Sequence, residues 1–307
     1  MSVVRGARRG VAVMIAACLL VSCSGEERAA PGEQPPAEQS PTERLSEPPT
    51  DAPAEELPEI PATDAATLAA QLDRAGEVLR ARDAASDDVR RAAELHQLAV
   101  RSLASGRPGF RRQVLRSLHP RTARTVRGDI RAAELLQSMT DPQPRLPDWR
   151  IVEPPPPAEL RAHYRRAQRR TGVDWTYLAA IHLVETRMGR IRGTSTAGAQ
   201  GPMQFLPTTW DLYGEGGDIN DPGDAILAAG RLLRAHGAPG DMDRALWHYN
   251  PSERYVGAVR EYARTMQQMP AAYRGYWHWR VLYRHRSGTH VLPVGYPEEP
   301  AVPLPQD

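Results

Sequence analysis

The stretch Asp174-Trp175-Thr176-Tyr177-Leu178-Ala179-Ala180-Ile181-His182-Leu183-Val184-Glu185-Thr186-Arg187-Met188 decides the reading of this chain. Asp174 has the short polar side chain that caps a helix N-terminus, and the run after it predicts a helix through Thr186 or Met188. Leu178, Ile181, His182, Glu185 and Met188 share one face of that helix by their spacing. Glu185 is therefore a carboxyl group on an otherwise apolar stripe. Burial there disfavours the charged form and raises the pKa, which is what a general acid needs at neutral pH. The competing reading is a Glu at the edge of the stripe, solvated or paired with Arg187 or Arg190. Just upstream, Ala158 to Arg170 predicts an amphipathic helix ended by Thr171-Gly172.

Downstream lies Gly193-Thr194-Ser195-Thr196-Ala197-Gly198-Ala199-Gln200-Gly201-Pro202-Met203-Gln204-Phe205-Leu206-Pro207-Thr208-Thr209-Trp210. Its glycines and small side chains let the backbone approach a ligand closely. Gln204 offers donors and acceptors, which suits the acetamido and hydroxyl groups of a sugar. Phe205 and Trp210 fit either a sugar-facing apolar surface or internal packing. Pro207 suits the start of a helix running from Thr208 to Tyr213.

Taken in order, Glu185-Thr186, Ser195-Thr196-Ala197-Gly198-Ala199, Gly201-Pro202-Met203-Gln204 with Pro207-Thr208, and Tyr249-Asn250 resemble the soluble lytic transglycosylase domain of the lysozyme-like superfamily. The likeness is greatest to its lipoprotein, membrane-bound branch, and it spans residues 158–269. Thr186 stands where that family more often has Ser, and Pro202 where it more often has Leu. The resemblance implies a mainly α, lysozyme-like catalytic domain that cuts peptidoglycan glycan strands between N-acetylmuramic acid and N-acetylglucosamine. By that likeness Glu185 is the catalytic residue. It protonates the glycosidic oxygen, then as a carboxylate takes a proton from the muramoyl 6-hydroxyl, which closes a 1,6-anhydro ring. Thr186, Ser195, Gly201, Met203, Gln204, Phe205, Tyr249 and Asn250 would bind substrate, with Tyr249 orienting Glu185 and Asn250 shaping the floor.

The residues themselves permit that mechanism. No Asp or Glu occurs between Glu185 and Asp211, so the two-carboxylate glycosidase pattern needs an acid folded in from elsewhere. Such an acid would fit a hydrolytic muramidase of the same fold. A third reading is a non-catalytic lipoprotein that binds peptidoglycan. Tyr249 and Asn250 also read as a helix C-terminus ahead of Pro251.

At the N-terminus, Arg5, Arg8 and Arg9 precede the apolar run Gly10 to Val21, and Leu20-Val21-Ser22-Cys23 resembles a lipobox. Residues 1–23 thus read as a lipoprotein signal peptide with Cys23 as the lipidated residue, and Cys18 lies inside the removed part. Export to the outer face of a bacterial membrane follows, anchored through Cys23. Residues 24–62 carry ten acidic side chains against Arg28 and Arg44 among many prolines, and read as a disordered acidic tether. Residues 63–140 show helical periodicity broken at Gly106-Pro108 and His119-Pro120, which predicts three or four helices supporting the next domain or binding a partner. Residues 141–157 hold seven prolines and mark a linker or strap. Because every matched motif lies later, residues 142–307 are expected to fold and keep some activity.

Asp221-Pro222 predicts a cap and first turn for a helix to His236, with Ala228-Ala229-Gly230 permitting close packing. Ser252 caps a helix to about Met269. Beyond Pro270, the extension 270–307 alternates aromatic and basic residues from Trp277 to Arg284, a β-hairpin signal, and its Pro-rich end from Pro293 reads as loose. The Asp218–Asp224 cluster lacks calcium-loop spacing, and His278, His285 and His290 form no metal triad. No cofactor or metal is implied. All 39 basic residues are Arg, and the formal net charge is +2. No nucleic-acid-binding motif appears, and the export signal argues against such a partner.

Overall fold

Four helices open the part of the chain that the computed structural model describes, residues 60–305. They are α1 (Ala65–Arg80), α2 (Ser86–Ser105), α3 (Pro108–Ser117) and α4 (Pro120–Gln137). Asp64 caps α1 by accepting from the Thr67 amide, and Pro108 and Pro120 open α3 and α4, where a missing N–H costs nothing. The signal segment, Cys23 and nearly all of the acidic tether lie outside the described residues. Among the described residues no helix is long and apolar enough to cross a membrane.

The chain continues through β1 (Arg150–Ile151), α5 (Pro157–Thr171), α6 (Trp175–Thr186), β2 (Ile191–Arg192) and α7 (Pro207–Tyr213). Then come α8 (Pro222–Ala235), α9 (Met242–Tyr249), α10 (Glu253–Gln268) and α11 (Ala272–His278). The strands β3 (Val281–His285), β4 (Gly288–Leu292) and β5 (Val302–Pro303) form an antiparallel sheet in the order β3-β4-β5. The fold is mainly helical with a short C-terminal sheet, as expected, and is consistent with a lysozyme-like architecture.

The helix that carries Glu185, α6, is the centre of the molecule. Asp174 caps it through the Thr176 amide at 3.0 Å. The sequence pattern predicts one apolar stripe, but every α6 residue except Tyr177 and Val184 is buried. Helices α5, α8, α10 and α11 surround it, which encloses its apolar residues together with Thr176, His182, Glu185 and Thr186.

The main core spans the helices before and after the strap. It joins Ala75, Leu79, Val89, Leu95 and Ala132 of the first four helices to Leu178, Ile181, Leu246, Val259 and Met266. The first helices are packed on the following ones, and the packing is close. A Cβ placed on Gly257 of α10 would lie 2.8 Å from Leu135 Cδ1 of α4. The expected close approach at Gly230 also holds, against Thr171 of α5. A buried polar group tightens the same junction: Asp129 of α4 accepts from the Tyr276 hydroxyl of α11 and pairs with His96 Nε2 of α2 at 2.8 Å.

Residues 141–157 are a strap. Gln143 exchanges backbone hydrogen bonds with Arg284 and Arg286, and β1 pairs antiparallel with β2. Trp149 and Ile151 pack with Ile191, Val281, Tyr283, Leu292 and Tyr296 in a separate small core. Two expectations for the C-terminus need correction. The hairpin begins at Val281, because Trp277 belongs to α11 and Trp279 caps its C-terminus. The end beyond Pro293 is held rather than loose: Gly295 and Tyr296 bond to the Ile151 backbone, and the buried Tyr296 hydroxyl donates to the Pro147 carbonyl at 2.7 Å.

Candidate active site

Glu185 sits in the last turn of α6 and is wholly buried. The reading of a solvated edge residue therefore fails, and Arg190 is engaged elsewhere, with Glu153 at 3.1 Å and the Trp277 carbonyl at 3.0 Å. The Tyr255 hydroxyl donates to Glu185 Oε1 at 2.6 Å. Burial pushes the Glu185 carboxyl up to about 8, and the Tyr255 bond partly opposes this. Near neutral pH it holds a proton that it can donate.

Past Glu185 the helix ends abruptly. Arg187 and Met188 both have positive φ, 54° and 62°, an uncommon conformation for residues with a side chain. Two bonds fasten this end to the following loop. Thr186 Oγ1 donates to the Pro202 carbonyl at 2.6 Å and accepts from the Gly189 amide at 3.1 Å. One turn back, His182 Nδ1 lies 2.7 Å from the Tyr164 hydroxyl, and burial lowers its pKa to about 3, so it is neutral.

The loop from Ser195 to Phe205 is tightly folded on itself. Ser195 Oγ accepts from the Ala199 amide, and Gln200 and Phe205 exchange backbone bonds. Gly201 has φ 71°, and a Cβ there would lie 1.9 Å from the Ile219 carbonyl oxygen, so only glycine fits. Gln204 Nε2 donates to the Gly201 carbonyl at 3.0 Å, and the residue itself has φ 49°. Met203 and Phe205 are buried, with the Phe205 ring edge-on to Trp210 and Tyr249.

The tyrosine hydroxyl bonded to Glu185 is that of Tyr255. Tyr249, at the end of α9, donates its hydroxyl to the Met203 carbonyl at 2.5 Å, not to Glu185. It stacks on Tyr255, 6.3 Å between ring centroids, and lies within electrostatic reach of Glu185. Asn250 is the buried C-cap of α9, the helix-end position read from Pro251. Thus Thr186, Ser195, Gly201, Met203, Gln204, Phe205, Tyr249 and Asn250 gather around one end of α6. Most of their polar atoms are turned to one another.

Sequence reasoning missed Tyr255. It follows the Ser252 cap by three residues and precedes Val259, Tyr262 and Met266 on the buried face of α10, so periodicity marks it as inward. Its contact with Glu185 is 70 residues away along the chain and has no local signal. Reasoning also missed the wall of the cleft. A cavity of about 210 Å³ is lined by Val184, Glu185, Arg187 and Ile191, and on its other side by Leu136, Gln137, Met139, Thr140, Asp141, Gln143, Trp149 and Val281–Arg284. The second set lies outside residues 158–269. It contains Asp141, an exposed acid in the same cleft as Glu185.

The site is thus a buried, protonated carboxyl group lining a cleft in a mainly helical fold. The protein named membrane-bound lytic murein transglycosylase F, from Thiobacillus denitrificans, is 36% identical to the chain over 75 residues. That stretch is 24% of this chain and spans 16% of the relative's own length. No family model matches the chain, and no solved structure matches it.

Proposed function

We propose that this chain is a peptidoglycan lytic transglycosylase that cuts between N-acetylmuramic acid and N-acetylglucosamine. The observation that carries the reading is Glu185: buried, raised to about 8, and lining an open cleft. The proton on Glu185 passes to the glycosidic oxygen as the bond breaks. The resulting carboxylate, steadied by Tyr255, takes a proton from the muramoyl 6-hydroxyl, which closes the anhydro ring. Thr186, Ser195, Gly201 and Tyr249 hold the loop in shape, and Met203, Gln204, Phe205 and Asn250 form the floor behind the sugar. The partial likeness to a lytic murein transglycosylase supports the same substrate class. The basic-apolar-lipobox order of residues 1–23 supports export and anchoring through Cys23 on the outer face of a bacterial membrane. In cells, Cys23→Ser should then appear as soluble or unprocessed protein.

A second reading has an observation of its own. Asp141 supplies the cleft with the further carboxylate that a hydrolytic muramidase would use to activate water. Product chemistry separates the two. Digestion of purified cell wall in labelled water should give a muramoyl product lighter by one water than the hydrolysed one, unlabelled and resistant to borohydride. A labelled, reducible product that disappears in Asp141→Asn would establish hydrolysis instead.

A further inference from the structure

The cleft that holds Glu185 is not electrically neutral. Arg284 and Arg187 both line it, and both also line an adjoining cavity of about 120 Å³, together with Leu136, Gln137 and Leu282. Arg284 lies on β3, half-buried, and its Nη1 donates to the Gln137 carbonyl at 2.7 Å and the Thr140 carbonyl at 2.8 Å. Those carbonyls belong to the C-terminal end of α4 and the turn after it, the negative end of a helix, which favours a cation. The two bonds fix the direction of the guanidinium plane. Among the described residues, Nε and Nη2 have no partner and no carboxylate pairs with Arg284. The acids in the cleft are Glu185, which holds its proton, and the exposed Asp141.

A guanidinium held in place with two of its nitrogens unused is a fork for a carboxylate. We infer that Arg284, with Arg187 adding charge beside it, forms a subsite beside Glu185 for a carboxylate carried by the muramoyl unit of the glycan. This rests on the proposed substrate. The chemistry discriminates between the two sugars. N-acetylglucosamine bears no charge, whereas the muramoyl unit bears a lactyl carboxylate when free of peptide and peptide carboxylates when substituted. An anion site at a fixed offset from Glu185 sets the register of the strand. It decides which of the two alternating glycosidic bonds meets the acid. Arg284 is in this account a specificity residue, not a catalytic one.

Binding tests this separately from cleavage. Calorimetry would use the full chain carrying Glu185→Gln, with peptide-free strands, the same strands with the lactyl carboxylate methyl-esterified, peptide-bearing strands, and peptide-bearing strands with amidated carboxylates. An anionic strand should bind about tenfold or more tightly than its neutralised counterpart, the size of one charge-assisted contact. The pair that shows the difference identifies its source as lactyl or peptide. Adding Arg284→Gln should erase the difference and leave affinity for the neutralised strand unchanged. Arg284→Lys, which keeps charge without the fork, should keep part of it. Equal affinity for charged and neutralised strands in the Glu185→Gln protein would overturn the inference without using any Arg284 variant. So would an Arg284→Gln loss that is the same on both. A parent that discriminates charge but cleaves nothing would instead overturn the proposed function and leave the subsite standing.

Discussion

Two regions of the chain supply the cleft around Glu185, and they are held in different ways. The end of α6, the loop to Phe205 and the helices α9 and α10 are buried and cross-linked by short side-chain bonds: Thr186 to Pro202, Tyr249 to Met203, Tyr255 to Glu185. The other region comprises the end of α4, the strap and β3. It is partly exposed and carries charged side chains, and it is held by the small core around Trp149 and Tyr283, the Gln143 backbone and the Arg284 bonds to the end of α4. The first region sets the protonation of one carboxyl group. The second decides what can lie beside it. Chemistry demands rigid, dry surroundings, whereas recognition of a charged polymer demands polar groups left open to water.

The largest effect should come from removing the second region's foundation. Residues 142–307 contain all the matched motifs, and sequence reasoning expects them to fold. Without α4 the Gly257 face of α10 is uncovered and Tyr276 loses Asp129. Arg274 loses its three carbonyl partners at Val78, Leu79 and Ala81. The fragment should lack a cooperative thermal transition by circular dichroism. A transition within a few degrees of the parent would mean that the two regions are separable after all.

The next effect belongs to the first region alone. Glu185 is raised from an ordinary value of 4.5 to about 8 by burial. The folded state therefore keeps a proton that the unfolded chain gives up between those values. Stability falls as pH rises through that window and levels off above it. Glu185→Gln removes the slope. Relative to the parent it should gain on the order of 3 kcal/mol between pH 4 and pH 8 in denaturant unfolding. An unchanged difference across that range would mean that Glu185 is ionised in the fold.

A smaller effect separates the two tyrosines. Tyr255 stabilises the carboxylate form, so Tyr255→Phe should move the alkaline limb of kcat/KM, near pH 8 in the parent, upward and reduce kcat about tenfold. Tyr249→Phe frees the Met203 carbonyl and should leave that limb in place. If Tyr249→Phe moves it as far as Tyr255→Phe does, the direct contact is not what tunes the acid.

Much of the first region was legible in the sequence, because its signals are local. Asp174, Asp221 and Ser252 cap their helices as read and the prolines open theirs, whereas Gly201, read as a residue for close approach to a ligand, is required by the chain's own Ile219 carbonyl. Glu185 stood out as a charge among apolar neighbours. Tyr255 did not, since an inward tyrosine on an amphipathic helix is ordinary until its partner is known. The second region was illegible for the same reason. Asp141 and Arg284 are a common acid and a common base in polar surroundings, and only the strap and β3 bring them to the cleft. The hairpin was displaced toward the C-terminus because alternation of aromatic and basic residues continues from α11 into β3 without a break.

The central claim is that one carboxyl group serves as both acid and base, and the most direct test is turnover of purified peptidoglycan by Glu185→Gln. The amide keeps the size and can still accept from Tyr255, but it can neither give nor take the proton. The variant should unfold cooperatively, bind strands, and release anhydro-muramoyl product about 10²- to 10⁴-fold more slowly than the parent. Folded Glu185→Gln that releases that product at the parent rate would contradict the account.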